Sequence, residues 1–523
     1  MTKPIFPDRR TVLGVMGASA VSALLPGMEP RAHGAAPEVG ETHPVILNVY
    51  SDEGDLLDFE SLRALQGNEA DGDDGGDDEE KAAAEQDYGY DDALLHSDLL
   101  YVTGYHCLRE AENATARLDL PKNGSHTLTL SWPTSHGYSV LMADLPGAGT
   151  YDLEVLAART LHNRQVERIA AGPAPDQTIV EARQETERLL ARYDSPNTSA
   201  QEKRILTKRC LEQASKAQLM LDQALPAKTP KGACIAVTFT SPPAAGQTGT
   251  LLSAITGGKR KPAVRLVIEQ ESGGELEEMS DWVRVVEEIH KAGGLAVVQV
   301  CDSQQLKDLP IGDYQRRLDE LIKNLAAADV WEVGNELGGE WLSDDATTLE
   351  RVRLAADKVG GINNGGKTPD MMLTLYYQLG QSKESANSTF TWIKNNLVDN
   401  AKYRSLVERI KIFGLSIYPQ HHPLGTAAER VMSTFEKTFP GKSVAITELG
   451  YGAEDLDDGA WWFGSPDDPA KARRIVAEHL TSVGMGRANS WGAPFWWYYL
   501  EDEAGSPDGR VSDVLAKVAA QGG

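Results

Sequence analysis

From Gly232 onward, apolar residues come in short bursts at regular intervals. Eight strand-like runs follow one another: ACIAVTFT from Ala233, VRLVIEQ from Val264, LAVVQVC from Leu295, VWEVGNE from Val330, MLTLYYQ from Met372, IFGLSIYP from Ile412, VAITELGY from Val444 and APFWWYYL from Ala493. Their starts lie 31 to 49 residues apart. Between them the period changes to that of a helix. Ser280 precedes a stretch with Trp282, Val285, Val286 and Ile289 on one face, and Gly293-Gly294 stops it. Gln315 to Ala328 and Ala470 to Val483 read the same way. Strands alternating with helices at this interval predict parallel βαβ units. Eight units over about 290 residues fit a (β/α)8 TIM barrel, which places its chemistry at the C-terminal ends of its strands. A doubly wound sheet would carry a glycine-rich phosphate turn after its first strand; Ser241-Pro242-Pro243 stands there instead.

The first half has another rhythm. Pro44 to Tyr50 reads as a strand, and from Asp98 to Arg159 come DLLYVTGYH, ARLDL, HTLTLSW, YSVLMADL and TYDLEVLAA. Lys122-Asn123-Gly124 and Pro146-Gly147-Ala148-Gly149 separate some of these runs. Short strands at this spacing predict an antiparallel β-sandwich, here over residues 37–173. The phrase from Leu145 to Leu153 resembles strand starts of carbohydrate-binding sandwich modules; a purely structural sandwich is the alternative, and the one we favour. Thr178 to Arg192 then reads as a helix ended by Asp194-Ser195-Pro196-Asn197. Ser199 and Glu202 form a capping box for a second helix reaching about Ala224. The expected architecture is thus α/β: a sandwich, a helical hairpin over 174–228, and a barrel over 229–523.

Composition narrows the classes. With 41% hydrophobic and 24% charged residues, a mainly disordered, collagen-like or polytopic membrane chain is excluded. The net charge of −26 repels phosphates, so no nucleic acid partner is expected. Between Ser51 and Leu95, 17 acidic residues face only Arg63 and Lys81, which puts −15 of that charge in one stretch. A calcium loop starting at Asp71 would need Glu at its twelfth position and finds Ala82. A solvated flexible insertion over 51–95 is the expectation. The four cysteines form no CxxC pair. Neighbouring residues in a strand face opposite ways, so His421-His422 does not make a metal site, and no third ligand is evident. No metal or cofactor is expected.

The N-terminus reads as an address. Arg9-Arg10 precedes an apolar run from Val12 to Leu25, and Ala32-His33-Gly34 offers a cleavage site, giving a signal over 1–36. It resembles a twin-arginine export signal, with departures at Asp8, Val12 and Gly14; an ordinary secretory signal is the alternative. Either places the mature protein in the periplasm or outside a prokaryotic cell. The run is shorter than the roughly 20 residues of a membrane span, so no span is expected in the mature protein.

Two carboxylates stand out. Run four ends in Gly334-Asn335-Glu336 and run seven in Thr447-Glu448. At the mouths of strands four and seven such a pair can flank one bond, as glycoside hydrolysis requires; in a retaining enzyme the carboxyls sit about 5–5.5 Å apart. Trp331–Glu336 (WEVGNE), Gly414–Pro419 (GLSIYP) and Ile446–Tyr451 (ITELGY) carry a resemblance to the clan A retaining glycoside hydrolases, covering Gly232 to about Leu500. The second half of the first phrase and the GLSxYP phrase are similar to endo-β-1,4-galactanases, and ITEL also occurs in xylanases. The resemblance implies a carbohydrate substrate, Glu336 as acid/base and Glu448 as nucleophile. It also implies Asn335 at the sugar 2-hydroxyl, Tyr418 donating to Glu448, and Trp497, rather than Trp496, flooring the cleavage subsite. Arg265 matches the clan's strand-two arginine that holds the nucleophile charged; an ion pair with Glu332 is its other reading. Where many clan members have a histidine two residues before the tyrosine, this chain has Ser416. Trp341, Trp461, Trp462, Trp491, Trp496, Tyr376, Tyr377 and Tyr451 fall at or after run ends as candidate sugar platforms. A carbohydrate-binding or cell-envelope protein with a degenerate barrel, and a transglycosidase, are the alternatives.

Overall fold

The computed structural model describes residues 41–521 except 67–91, 136, 172–174, 226–228, 270–275, 308, 343, 381, 383, 420, 452–468, 498 and 501–509. The proposed signal and the centre of the acidic stretch lie outside the described residues.

The N-terminal layer is two four-stranded sheets. One has the order β4–β5–β1–β8, from β1 (Thr42–Asn48), β4 (Arg109–Ala111), β5 (Ala114–Pro121) and β8 (Gly149–Asp152). The other, β3–β2–β6–β7, is fully antiparallel and uses β2 (Ala93–His96), β3 (Val102–Tyr105), β6 (His126–Thr134) and β7 (Gly137–Leu145). The first sheet departs from the expected pattern at one edge, where β8 runs parallel to β1. Leu47, Leu118, Leu128, Leu130 and Trp132 share the apolar core between the sheets.

Two expectations need correction here. The TYDLEVLAA run is not a strand: β8 ends at Asp152, and α2 covers Leu153–Ala170. Its apolar positions Leu153, Leu156 and Ala157 recur at helical spacing and join the sandwich core. With α3 (Gln177–Asp194) and α4 (Ala200–Gln223) the expected hairpin becomes three helices. The acidic insertion is also shorter than expected. Helix α1 (Phe59–Leu65) lies inside it, capped by Asp58 and fixed by buried Leu62. Arg63 forms a buried ion pair with Asp92 at 2.6 Å.

The C-terminal half closes into an eight-stranded parallel barrel. Its strands are β9 (Cys234–Phe239), β10 (Pro262–Leu266), β11 (Leu295–Gln299), β12 (Val330–Leu337), β13 (Asp370–Tyr376), β14 (Ile412–Ile417), β15 (Ser443–Leu449) and β16 (Ser490–Trp496). Inward-facing residues recur at every second position. At the N-terminal end of the barrel interior, Ala236, Ala263, Val297, Val330, Met372, Ile412, Ala445 and Phe495 form an apolar plug. Two residues further along each of seven strands the layer is Thr238, Arg265, Gln299, Glu332, Thr374, Gly414 and Thr447, all but Gly414 polar. The switch from apolar to polar within the barrel marks where its chemistry can begin.

The N-terminal layers brace the barrel on the same side. The Thr426 amide donates to Ser139 Oγ at 3.0 Å, and the Val102 amide donates to Thr391 Oγ1 at 2.9 Å. Thr391 and Thr426 lie in short helical turns of the segments after β13 and β14. Buried polar links join the helices to the barrel: Arg168 and His479 both reach Asp222, at 2.9 and 3.0 Å. Among the described residues no helix is long and apolar enough to cross a membrane.

Glu154, in the first turn of α2, is buried and accepts from Thr207 Oγ1 at 2.6 Å. Burial pushes its carboxyl up to about 7, with the Thr207 hydroxyl offsetting only part. The folded protein therefore holds this proton more tightly than the unfolded chain, and stability declines as pH rises from the unfolded value toward about 7. The decline is at most on the order of 3 kcal/mol. Glu154→Gln is expected to melt several degrees above wild type above that range and near it in mild acid. Thermal unfolding at both pH values checks this; an equal difference at both would overturn it.

Candidate active site

At the mouth of the barrel two strands break their alternation. In β12 the pairing with β13 shifts register between Glu332 and Gly334 and again between Gly334 and Leu337. Glu336 adopts φ +47°, a left-handed backbone uncommon for a residue with a side chain. Adjacent side chains in a regular strand face opposite sides. Here the irregularity lets Asn335 and Glu336 both serve the mouth. In β15 the partners of Leu415 and Ser416 are Ile446 and Glu448, so Thr447 is an inserted residue. The bulge turns Thr447 and Glu448 inward in succession. Gly414 makes the room: a Cβ there would lie 2.1 Å from Thr447.

The two carboxylates are fully buried and linked through Asn335 and Ser303. Asn335 Nδ2 donates to Glu448 Oε2 at 3.2 Å. Asn335 Oδ1 accepts from the Ser303 amide at 2.9 Å, and Ser303 Oγ donates to Glu336 Oε2 at 2.5 Å. Ser416, the register partner of Glu448, donates its hydroxyl to Glu336 Oε1 at 2.8 Å. The position that departs from the clan pattern is thus bonded to the first carboxylate.

Glu448 has a different setting. The Tyr418 hydroxyl donates to its Oε1, and Arg265 Nη2 lies 2.8 Å from its Oε2. Tyr418 packs edge-on over Gly450, where a Cβ would come within 2.1 Å of the ring. Arg265 also grips Glu332, with Nε to Oε2 at 2.7 Å and Nη2 to Oε1 at 3.3 Å. Arg265 thus contacts Glu332 and Glu448 at once. Burial works against the guanidinium charge, but Glu332 and Glu448 outweigh it and raise its pKa above the ordinary arginine value. Burial pushes Glu332 above the usual carboxylate range, while Arg265 and the Thr374 hydroxyl offset part of that.

The aromatic residues divide. Trp497, two positions beyond inward-facing Phe495, has its ring centroid 5.4 Å from the Arg265 guanidinium carbon. Half-buried Trp341 meets Tyr376 edge-on at 4.7 Å, and Tyr376 meets His422 at 5.2 Å. These line the mouth. Trp496, Tyr377 and Tyr451 belong instead to the apolar core outside the strands. Trp491 stacks on Phe495 at 5.8 Å, at the opposite end of the interior from the mouth. Trp496 fails as a platform by strand parity, being adjacent to inward-facing Phe495, and Trp491 by its depth in the interior. Trp461 and Trp462 lie outside the described residues. Ser303 was missed in the sequence because a serine after a strand carries no signal of its own. Burial and the neighbouring His421 push His422 down to about 3, leaving a neutral ring beside Tyr376. Among the described residues no cluster of three His, Cys, Asp or Glu could hold a metal.

No family model and no curated protein matches the chain. Solved structures do show similarity. An endo-1,4-β-D-mannanase from Thermotoga petrophila RKU-1 is 11% identical, with TM-score 0.34, over 51% of this chain and 88% of that one. A family 39 glycoside hydrolase from Bacteroides cellulosilyticus WH2 is 10% identical, with TM-score 0.34, over 78% and 73%. A mandelate racemase/muconate lactonizing enzyme from Roseiflexus sp. is 10% identical, with TM-score 0.29, over 72% and 83%. These names span different chemistries, and similarity at this level carries no argument about activity.

Removing the buried cation would strand two carboxylates. Arg265→Met is expected to lower stability by about 3–5 kcal/mol. Adding Glu332→Gln should recover part of that loss, because the two side chains are directly coupled. Denaturant unfolding of the single and double variants measures both; purely additive losses would refute the coupling.

Proposed function

We propose that the chain is an exported retaining glycoside hydrolase that cleaves a β-linked oligo- or polysaccharide by double displacement. The observation that carries this reading is the unequal setting of two buried carboxylates linked through Asn335 and Ser303. Glu448 faces a guanidinium, a phenol and an amide, all donors. Such company favours the anion, which suits attack on an anomeric carbon. The hydrogen bonds reaching Glu336 from Ser303 and Ser416 come from neutral hydroxyls. These neutral donors favour the anion less than the guanidinium beside Glu448 does, which leaves Glu336 the easier of the two to protonate.

In the first step Glu448 forms an ester to the anomeric carbon. The bond to the leaving oxygen breaks, and Glu336 gives that oxygen its proton. In the second, Glu336 takes a proton from water, whose oxygen displaces Glu448. Two inversions give net retention. Asn335 Nδ2 would donate to the 2-hydroxyl, a contact that strengthens in the transition state. Trp497 would lie beneath the sugar, and Trp341 beside Tyr376 would supply a second apolar face. The arginine pair and apolar run near the N-terminus support export.

A panel of aryl β-glycosides and plant or microbial polysaccharides tests the reading. Glu448→Ala is expected to lower turnover by roughly a thousandfold or more. Glu336→Ala should slow substrates with poor leaving groups by roughly a hundredfold or more. Activated aryl glycosides, which need little protonation, should suffer far less in that first step. NMR of the first-formed sugar should show retained configuration. Wild type that binds glycans and cleaves none, or Glu448→Ala with undiminished turnover, would overturn it.

A further inference from the structure

We propose that Ser303 is a positioning residue that orients both Asn335 and the Glu336 carboxyl for the reaction, resting on the glycosidase reading above. Ser303 opens a short helical turn, Ser303–Leu306, just past the end of β11. The first amides of a helix have no partner within it. Asp302 takes the Gln304 amide at 2.9 Å, and the Ser303 amide goes to Asn335 Oδ1. That bond decides which way the amide faces. With its oxygen held by Ser303, its NH2 group points at Glu448. A flipped amide would set an oxygen against the carboxylate and leave the Ser303 amide without its acceptor.

The Ser303 side chain holds the other carboxyl. A hydroxyl has one proton to give and lone pairs to receive. Trp341 Nε1, which can only donate, gives its hydrogen to Ser303 Oγ at 3.1 Å. The Ser303 proton is thereby directed to Glu336 Oε2. One buried residue thus links three elements of the mouth: the amide beside Glu448, the Glu336 carboxyl and the Trp341 ring.

Ser303→Ala keeps the backbone bond to Asn335 and removes only the hydroxyl. The substitution alters none of the charged and titratable groups of the mouth: Glu448 on β15, Arg265 on β10, Glu332 on β12, Asp302 beside Ser303, and His421 and His422 after β14. A hydroxyl that donates to a carboxylate favours its ionised form. Losing it should raise the ionisation midpoint of Glu336 by roughly one pH unit. Carbon-13 NMR of the Glu336 carboxyl, assigned by its disappearance in Glu336→Gln, reads that midpoint without any turnover. Ser303→Thr, which restores a hydroxyl, should return it toward wild type, and thermal unfolding checks that each variant is folded. In active enzyme, kcat should fall roughly tenfold in Ser303→Ala, with the alkaline limb of kcat/KM moving by the same amount as the midpoint. An unmoved midpoint in folded Ser303→Ala overturns the assignment. If the midpoint moves while wild type cleaves no glycoside, the positioning stands and the glycosidase reading fails.

Discussion

A full positive charge sits inside this barrel, and the site is arranged around it. Arg265 has no solvent exposure, so its charge must be met by protein groups. Glu332 and Glu448 meet it from two other strands, one from the same level and one from the level above. That requirement locks β10, β12 and β15 to one another through their side chains as well as through the barrel ladder. It also fixes Glu448 at the mouth before any ligand arrives. A buried group of this kind contributes more to definition than to net stability, because desolvation consumes much of the attraction.

Above the charge, the barrel leaves its regular pattern in the two strands that carry the paired carboxylates. Regular alternation would place at most one of two consecutive residues in the interior. The register shifts at Gly334 and Thr447 bring consecutive polar residues into the mouth instead. Glycine appears at the two points where this crowding is tightest, beside Thr447 and beneath the Tyr418 ring. The sandwich stiffens the same region from outside, through contacts to the loops that follow β13 and β14.

The barrel was legible because each of its strands is a buried apolar run bounded by helical periodicity. The strand starts read from sequence fall within three residues of those observed. The two glutamates were legible for a related reason: they stand at run ends, where a barrel opens. Parity within a strand was also readable for Trp497, which follows Phe495 by two. Trp496, Tyr377 and Tyr451 pack in the core outside the strands, and Trp491 stacks on Phe495 at the far end of the interior. The helix α2 escaped because the end of β8 and its own first residues, together YDLEVLAA, alternate well enough to pass for one strand. Ser303 escaped because its role lies in three bonds to residues distant in the chain, and no local pattern encodes that. Bulges are equally silent, since an inserted residue looks like any other until its partners are known.

The left-handed backbone at Glu336 bears on how this barrel would age. A side chain held in that conformation costs on the order of 1–3 kcal/mol, whereas glycine or asparagine accepts it readily. Two buried hydroxyls, those of Ser303 and Ser416, end on that glutamate. A descendant freed from any task at this mouth would shed the backbone strain by losing the side chain only at the cost of leaving both hydroxyls without their acceptor.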